Sequence, residues 1–407
     1  MSEPPIDVGR DLGLAVVSGK GRRWLATGHP WVFRDDLKSF DALPGALVRV
    51  EDAHGRTLGF GSSSRASRIA VRMISRGSSP PERGDFVASL ARAIAWRAKS
   101  GYLAEDGACR LLAGDAEGWP GLVVDRYARV LVLQSGTQGS ERMRALAVEL
   151  FDELLPFEVE CVVDRSDSAV RRLEELEKRV EIVRGTLPPE LVVREDGLVY
   201  EVDVLAGHKT GHYLDQRENR RRAAALAAGV DVLDAFSYDG LFGVRAALAG
   251  ARSVVCVDQS EAAGVRVLAN ARRNGVEDRV SFVRANCMDD LRRRADARES
   301  YGLVVVDPPA FAKSRREIAG AARGYIELNS RALRLAAPGG WVVSASCSYN
   351  VTAEGFVEYL RSAAAHAERD VFQAELAGAA PDHPFLLTLP ESRYLKCAFL
   401  RVADDAR

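Results

Sequence analysis

Strands and helices alternate along the second half of this chain, and that order limits the folds open to it. Short apolar runs occur at residues 230–233, 253–257, 280–283, 303–306 and 341–345, with helical stretches between them. Runs of this length bounded by turn residues indicate buried strands. Because parallel strands are joined by helical crossovers, the alternation predicts an α/β domain with a parallel sheet and helices on both of its faces. Ligands of such sheets bind beyond the carboxyl ends of the strands, so residues there are the first candidates for function.

The rest of the chain divides into two further sections. Short strand candidates at residues 46–50, 58–61 and 69–74, separated by turns, lie in the first section and predict a small β-barrel. Gly, Ser and Pro residues at 77–84 indicate a linker, and the section after it mixes strands and helices, as a small α+β domain would. A hairpin opens the last section, where Asp196–Gly197 supplies the positive φ angles of a tight turn. The predicted domains are residues 1–76, 77–189 and 190–407.

Charge and cysteine content exclude several classes of protein. A formal net charge of -1 provides no bulk attraction to nucleic acid, so any such contact requires a local basic patch. The first residues lack a secretory signal pattern, and no apolar run approaches the roughly 20 residues that span a bilayer. We therefore expect a cytoplasmic protein without membrane contact. The six cysteines include no C-x-x-C pair, so we expect reduced thiols and no metal site.

A local basic patch does occur in the first section, where arginines and lysines are interleaved with aromatic residues. Such a surface can contact the phosphates of RNA and stack on its bases. The candidates for RNA contact are Arg23, Trp31 and Arg34. The same composition also suits a small hydrophobic core with a solvated rim, so the pattern alone does not separate the two interpretations.

The loop after the first strand of the α/β section contains the residues of a nucleotide site. It passes from strand to helix through Phe236, Ser237, Tyr238 and Gly240. A loop of this kind brings backbone N–H groups and a glycine close to a ligand. It has no G-x-G-x-x-G sequence, which disfavours a dinucleotide.

Polar residues at the next two strand ends extend this site. Asp258 ends the second strand, where a carboxylate can accept hydrogen bonds from ribose hydroxyls. Asn286 follows the third strand and is placed to pair with the edge of an adenine. An acidic residue at a strand end is often a helix cap instead. Together, the three loops favour an adenosine-containing ligand.

A carboxylate and a thiol follow the last two parallel strands. Asp307 begins the sequence Asp-Pro-Pro-Ala-Phe, and Cys347 lies at the end of the run that starts at Pro338. Both residues therefore face one crevice, which suits nucleophilic catalysis on an electron-poor ring. A free cysteine is also a common packing residue, and its reactivity requires an accessible, electropositive site.

These motifs, in this order, resemble the class I S-adenosylmethionine-dependent methyltransferase fold. More narrowly, the chain resembles the bacterial large-subunit ribosomal RNA cytosine-5 methyltransferases that carry an amino-terminal PUA domain. The resemblance covers nearly the whole chain, and its most specific part is the block from Gly207 to Arg217. It implies a Rossmann-like catalytic domain, an amino-terminal PUA-type β-barrel and a small α+β middle domain. It also implies 23S-type ribosomal RNA as a partner, free or in a pre-ribosomal particle, and leaves the oligomeric state open, a homodimer included.

The resemblance implies roles for individual residues, with S-adenosylmethionine as the methyl donor. Cys347 would add to carbon 6 of cytosine, which makes carbon 5 able to attack an activated methyl group. Asp307 would hydrogen-bond to N3 or to the exocyclic amine. The positive sulfonium of the cofactor and Lys209 or Arg217 would lower the pKa of the thiol. The group that removes the carbon-5 proton is not identified. The residues expected to bind the cofactor are Lys209, Tyr213, Gln216, Phe236, Ser237, Tyr238, Gly240, Asp258, Asn286 and Asp307, and those expected to contact RNA are Pro308, Phe311, Arg23, Trp31 and Arg34.

The chain departs from the family pattern at two positions. Asn286 stands where relatives have Asp, and its side-chain carbonyl would still accept a hydrogen bond from the adenine amino group. Ala310 stands where relatives have Lys, and Lys313 is a candidate to supply that charge.

Two other functions fit the same residues. Asp-Pro-Pro-Ala-Phe resembles the motif with which RNA amine or guanine-nitrogen methyltransferases hold an amine, with Phe311 stacked on the base and Cys347 purely structural. The second is a non-catalytic RNA-binding assembly factor built on the same fold.

Overall fold

The computed structural model describes residues 12–311 and 317–404. The chain forms two compact units. The first extends to Val193 and includes Val202–Leu214 and Pro381–Ser392, while the second comprises Arg194–Glu201, Asp215–Ala380 and the residues from Arg393 onward. No helix in the described part of the chain is long and apolar enough to cross a membrane.

The amino-terminal part of the first unit is built around a six-stranded sheet. Its elements are β1 (Gly13–Val17), α1 (Gly19–Ala26), β2 (Trp31–Phe33), β3 (Leu37–Asp41), β4 (Leu47–Glu51), β5 (Thr57–Ser63) and β6 (Ile69–Ser75). The strand order is β2-β6-β5-β4-β1-β3. Small and β-branched side chains such as Val17, Val48 and Val71 form its core. The sequence predicted β4, β5 and β6 but not the four elements before them.

A five-stranded sheet and two long helices complete most of the first unit. The elements are α2 (Arg83–Lys99), β7 (Ala108–Ala113), β8 (Leu122–Tyr127), β9 (Val130–Ser135), α3 (Gln138–Leu154), β10 (Cys161–Asp164) and β11 (Glu181–Gly185). The strand order is β11-β10-β9-β8-β7. Helix α3 begins at Thr137, whose hydroxyl accepts a hydrogen bond from the N–H of Ser140. Phe86 of α2 packs on Trp119 in the core of this part.

The hairpin predicted near residue 196 is present. It consists of β12 (Val192–Glu195) and β13 (Leu198–Glu201). The turn residues Asp196 and Gly197 have φ angles of 48° and 86°, as a tight turn between twisted strands requires.

The second unit contains the predicted α/β domain. Its remaining elements are α4 (Arg217–Ala224), β14 (Asp231–Ala235), α5 (Leu241–Leu248), β15 (Ser253–Asp258), α6 (Glu261–Arg273), β16 (Val280–Arg284), α7 (Cys287–Asp296), β17 (Tyr301–Val306), α8 (Ile318–Leu335), β18 (Ala336–Ser346), α9 (Ala353–Ala367), β19 (Val371–Ala377) and β20 (Lys396–Val402). The strand order is β16-β15-β14-β17-β18-β20-β19. The first five strands are parallel, as expected, and β20 runs antiparallel to both of its neighbours. The fold is Rossmann-like, with β19 and β20 added to the predicted sheet.

Helices cover both faces of this sheet. Leu233 and Ala235 belong to a core cluster that includes Leu328 of α8. Asp234 lies between them and points to the opposite face, where it accepts a hydrogen bond from the N–H of Gly243 in α5 at 2.9 Å. The two faces of β14 therefore pack against different helices.

A buried carboxylate joins the hairpin to helices α4 and α5. The fully buried Glu195 accepts a hydrogen bond of 2.6 Å from Arg220 Nη2, and its carboxylate is 3.4 Å from Arg217 Nε and 3.6 Å from Arg245 Nη1. Arg245 also donates to the backbone oxygen of Glu195 at 2.9 Å. Three guanidinium groups thus share one anion, and each would be costly to bury without it.

Replacement of Glu195 by Ala should lower the free energy of unfolding by about 3–5 kcal/mol, because it leaves buried guanidinium groups without their shared carboxylate. Urea denaturation of the full-length protein measures the change.

The matched control is Glu201→Ala in the same hairpin. Glu201 forms a half-exposed ion pair with Arg273 at 2.8 Å, and such pairs contribute less than about 1 kcal/mol. Equal destabilisation by the two substitutions would contradict a special role for Glu195.

Candidate active site

The loop between β14 and α5 adopts an unusual backbone conformation. Phe236, Tyr238 and Gly240 have positive φ angles of 63°, 52° and 75°. The N–H of Tyr238 donates to Asp258 Oδ2 at 3.1 Å, which ties the loop to the end of β15. Residues other than glycine rarely adopt positive φ angles unless the surrounding structure enforces them. Residues with such angles concentrate at ligand sites.

Two polar features of this loop have no protein partner. The hydroxyl of Ser237 is buried and forms no hydrogen bond with the described residues. Helix α5 follows Gly240, which has no side chain to act as a cap; Asp234 accepts a hydrogen bond from the N–H of Gly243 at 2.9 Å, and no side chain of the described residues caps the N–H groups before it. A helix N-terminus of this kind favours polar or anionic ligand groups.

Asp258 has the geometry expected of a ribose-binding acid. Its Oδ2 accepts from Tyr238, and its Oδ1 accepts from the N–H of Ser260 at 2.9 Å. These bonds fix the carboxylate while each oxygen retains a second lone pair for a hydroxyl group. Asp258 therefore also serves the local structure, and its contact with a ribose stays a prediction.

Asn286 uses its amide oxygen as a helix cap. This oxygen accepts hydrogen bonds from the N–H groups of Met288 at 3.0 Å and Asp289 at 3.3 Å, at the start of α7. Both lone pairs of the oxygen are thereby taken. Only the amide NH₂ group remains for a ligand, so the side-chain carbonyl is not the atom that would read an adenine amino group.

Asp307 and Gln216, both predicted to bind the cofactor, are in contact. Gln216 is buried and donates from Nε2 to Asp307 Oδ2 at 2.9 Å. Asn219 fixes the amide of Gln216 by donating to its Oε1 at 2.6 Å. The Asp307 carboxylate is therefore held in one orientation at the carboxyl end of β17.

Cys347 lies directly after β18, next to the strand that ends in Asp307. Val306 pairs with Ser344 in the parallel register, so the two strands end near the same level. Cys347 is partly exposed, whereas the other five cysteines, at positions 109, 161, 256, 287 and 397, are buried. It is therefore the accessible thiol of the chain.

Tyr325 is a site residue that the sequence analysis missed. Its hydroxyl forms hydrogen bonds with Ser346 Oγ at 2.8 Å and Ser348 Oγ at 2.9 Å, on either side of Cys347. Its ring centre is 4.7 Å from that of Phe311. Burial raises the pKa of Tyr325, so its hydroxyl keeps its proton and can donate. Tyr325 therefore links the Asp-Pro-Pro-Ala-Phe segment to the Cys347 loop.

Lys396 is the second missed residue. It is buried at the start of β20 and donates from Nζ to the backbone oxygen of Ser348 at 2.7 Å. No local sequence pattern marks it, because β20 reaches the site from a distant part of the chain and in the antiparallel direction.

Other predicted cofactor residues have different surroundings. Lys209 and Tyr213 belong to the first unit, where Lys209 Nζ is 4.4 Å from the centre of the Tyr213 ring. Their contact with the cofactor stays a prediction. Arg217 is buried, and its Nε lies 3.4 Å from the carboxylate of Glu195. The expectation that its charge lowers the pKa of the Cys347 thiol stays a prediction.

The residues predicted to contact RNA differ in how accessible their side chains are to a ligand. Trp31 donates from Nε1 to Asp115 Oδ1 at 2.6 Å, and Arg34 donates to the backbone oxygens of Ser64 at 2.8 Å and Ser67 at 3.1 Å. The polar groups of both side chains therefore support the fold of the first unit. The remaining candidates are the exposed Arg23, the buried Pro308 and the half-buried Phe311, while Lys313 lies outside the described residues.

Comparison with known families decides the class of this site. A family described as S-adenosylmethionine-dependent methyltransferase matches residues 177–385, and a PUA-like domain matches residues 16–76. The chain belongs to the S-adenosylmethionine-dependent methyltransferase family. Its methyl donor is therefore S-adenosylmethionine.

Two relatives match this methyltransferase over nearly its whole length. It is 37% identical over 397 residues to ribosomal RNA large subunit methyltransferase I of Klebsiella pneumoniae (strain 342), covering 95% of this chain and 98% of the relative. It is 39% identical over 395 residues to the protein of the same name from Serratia proteamaculans, with 94% and 98% covered. Among solved structures, SMU.776 in complex with SAH superposes with a TM-score of 0.83 at 20% identity, covering 96% of this chain and 100% of that one. The structural likeness supports the fold.

The loop around Ser237 fits the methyl donor of this methyltransferase family. S-adenosylmethionine carries ribose hydroxyls and a carboxylate. The unpartnered Ser237 hydroxyl, the N–H groups that precede Gly243 at the start of α5 and the fixed Asp258 are groups that can receive them. Which of these contacts form remains a prediction for each residue.

Replacement of Gly240 by Ala should weaken the binding of S-adenosylmethionine by about tenfold or more. A Cβ at Gly240 would lie 2.9 Å from Val267 Cγ2 of α6, and the φ angle of 75° is unfavourable for alanine. Isothermal titration calorimetry measures the affinity.

The control is Gly250→Ala in the same unit. Gly250 has a φ angle of 95°, but a Cβ there would meet nothing within 4 Å. Its replacement introduces backbone strain without altering the loop, so affinity should stay within about twofold. Equal losses in both variants would show that the Gly240 effect is general strain.

Proposed function

We propose that this methyltransferase methylates carbon 5 of a cytosine in large-subunit ribosomal RNA, with Cys347 as the covalent nucleophile. The observation that carries the proposal is the partly exposed Cys347 thiol beside the strand that ends in Asp307, while the other five cysteines are buried. A buried thiol cannot reach a substrate base. Cys347 is therefore the thiol available for this chemistry.

The chemistry explains the need for a thiol. Carbon 5 of cytosine is a poor nucleophile. When the Cys347 thiolate adds to carbon 6, an S–C6 bond forms and the electron pair of the C5=C6 bond becomes available at carbon 5. S-adenosylmethionine, when bound, supplies the electrophilic methyl group. Removal of the carbon-5 proton then restores the double bond and releases the Cys347 thiolate.

Asp307 is the proposed contact for the other edge of the ring. Its carboxyl group would accept a hydrogen bond from the exocyclic amine and, when protonated, donate to N3, where charge develops during addition. Gln216 supports this role because it fixes one carboxylate oxygen at 2.9 Å. A carboxylate that is fixed in one orientation needs less reorganisation than a freely rotating one as charge develops on the cytosine ring.

The backbone around Cys347 is also held in place. The Tyr325 hydroxyl bonds to the side chains of Ser346 and Ser348. This arrangement supports a thiol that must approach carbon 6 from a defined direction, because small errors in alignment slow such reactions strongly.

The RNA substrate is inferred from the relatives and from the PUA-like domain. Both relatives described above are named as large-subunit ribosomal RNA methyltransferases. PUA-type domains are expected to bind RNA, and Arg23 is exposed on the part of the chain that matches one. We assign 23S-type RNA as substrate, either free or in a pre-ribosomal particle.

The remaining assignments complete the proposal. We also propose the domain boundaries expected from the sequence, at residues 76 and 189. The cofactor would be bound by the loops around Phe236, Asp258 and Asn286, with Lys209 and Tyr213 as further contacts.

Replacement of Cys347 by Ala should reduce methyl transfer by at least about a thousandfold, because no other accessible thiol can replace it. The affinity for S-adenosylmethionine should be unchanged. Transfer of a radiolabelled methyl group to unmodified ribosomal RNA and calorimetric binding measure the two quantities.

Cys161→Ala is the control for loss of a cysteine. Cys161 is buried in β10 of the first unit, and its replacement should leave methyl transfer within about threefold of the original rate, since it takes no part in the chemistry. Retained cytosine methylation by the Cys347 variant would remove this residue from the mechanism.

RNA containing 5-fluorocytosine should form a covalent adduct with the active enzyme that survives denaturing electrophoresis. Fluorine at carbon 5 cannot leave as a proton, so the S–C6 bond persists after methylation. Peptide mass spectrometry should place the adduct on Cys347, and absence of an adduct with active enzyme would argue against the thiolate route.

Mass spectrometry of product nucleosides separates the proposal from its competitors. It should yield 5-methylcytidine. An N-methylated base would instead support amine or guanine methylation through the Asp307 segment, and tight RNA binding without any methyl transfer would support an assembly factor. Comparison of ribosomal RNA from cells with and without the protein then locates the nucleotide.

A further inference from the structure

Lys396 is an unusual residue for its position. Only 2% of its surface is exposed. Lysines are rarely buried to this extent without a partner of opposite charge. It lies at the start of β20, opposite Ser346 in the antiparallel register with β18. Its side chain therefore enters the structure immediately beside the Cys347 loop.

The hydrogen bonds of Lys396 are directed at that loop. Its Nζ donates to the backbone oxygen of Ser348 at 2.7 Å and to that of Tyr394 at 2.8 Å. The Ser348 oxygen also accepts from the N–H of Val351 at 3.1 Å, so Lys396 supports the turn that follows Cys347. Its third N–H has no acceptor among the described residues.

No carboxylate of the described residues forms an ion pair with Lys396. Two carbonyl groups satisfy its hydrogen bonds but do not neutralise its charge. A buried ammonium without a counter-ion is unfavourable. An anion at Cys347 would relieve this cost, because the Lys396 ammonium is hydrogen-bonded at 2.7 Å to the backbone oxygen of Ser348, the residue that follows Cys347 in the chain.

We propose that Lys396 is a positioning residue for Cys347: its buried ammonium holds the Cys347 turn through the Ser348 carbonyl and provides the counter-charge that favours the thiolate. This inference rests on the proposed role of Cys347 as the nucleophile. It also supplies the electropositive environment that a reactive thiol requires.

The other charged or titratable groups around the pair do not replace Lys396. Tyr325 on α8 is neutral, and Asp307 after β17 carries a carboxyl group, so neither side chain can supply a positive charge. Arg393 is exposed on the segment before β20, so water screens its charge. Tyr394, the next residue, donates its hydroxyl to Asp215 at 2.6 Å. Lys396 is thus the buried cation of this neighbourhood.

The pH dependence follows from the coupling of the two groups. Burial lowers the pKa of Lys396 to about 8, and the charge of Cys347 acts in the opposite direction. Below that pH, Lys396 keeps its proton and stabilises the thiolate, and above it the ammonium loses its charge and the stabilisation fades. The two groups therefore titrate as a pair.

The test is the pH profile of Cys347 alkylation by iodoacetamide in the full-length protein, followed by peptide mass spectrometry. The other cysteines are buried, so the label reports on Cys347. Lys396→Met keeps the length and apolar stem of the side chain but removes its charge. We expect the alkylation rate at pH 7 to fall by about tenfold or more, with the profile displaced to higher pH.

Arg393→Met is the matched control, since it removes a cation from the same segment at an exposed position. Its alkylation rate should stay within about twofold of the original. A Lys396→Met protein that is folded, as judged by circular dichroism and thermal unfolding, and reacts at the original rate would overturn the proposal. So would an equal effect of both substitutions.

The unmodified protein provides a second test that does not depend on the folding of a variant. An apparent pKa for Cys347 alkylation below the ordinary cysteine value of about 8.5 supports the proposal that Lys396 stabilises the thiolate. A value at or above about 8.5 overturns that proposal.

Alkylation requires neither RNA nor methyl transfer, so this experiment is independent of the proposed function. If Cys347→Ala abolishes methylation while Lys396→Met leaves alkylation unchanged, the nucleophile stands and the Lys396 inference fails. If Lys396 controls alkylation while Cys347→Ala still methylates cytosine, the pair is real and the proposed function fails.

Discussion

The parallel register of three neighbouring strands is the constraint on which the rest of the catalytic unit depends. Strands β14, β17 and β18 pair so that Ala235, Val306 and Ser344 lie side by side. The next residues along each strand therefore emerge at one edge of the sheet. That edge carries the loop that fits the methyl donor, the carboxylate of Asp307 and the thiol of Cys347. A shift of one residue in any pair would turn these side chains toward the opposite face.

Neutral hydrogen-bonding groups, together with the buried Lys396, hold Asp307 and the Cys347 loop in this unit. Gln216 orients Asp307, and Tyr325 fixes the two serines around Cys347. Amides and hydroxyls can hold a group without adding charge that would bias its protonation state. The strong buried ion pairs lie elsewhere, around Glu195, where they join the hairpin to the first helices. Stability and reactivity thus rely on different kinds of interaction.

The sequence predicts those features that depend on local patterns. The five parallel strands, the Asp196–Gly197 hairpin and the positions of Asp307 and Cys347 follow from runs of apolar residues and the polar residues that end them. Tyr325 and Lys396 could not be predicted in this way, because each meets the Cys347 loop through tertiary pairing across some 20 to 50 residues of chain. The role of the Asn286 side-chain oxygen as the cap of α7 was missed for a different reason. An asparagine at the end of a strand suits a helix cap and a ligand contact equally well, so the sequence does not separate the two roles.

The place of β20 in the sheet affects how this unit can be made in the cell. The strand comes after every other described strand in the sequence, yet it is inserted between β18 and β19 rather than added at an edge. During synthesis, β19 therefore emerges without a neighbour to pair with, and the unit cannot close until the following segment has left the ribosome. Since that segment also brings the lysine beside the thiol, the nascent chain completes its sheet and the surroundings of Cys347 in a single late step.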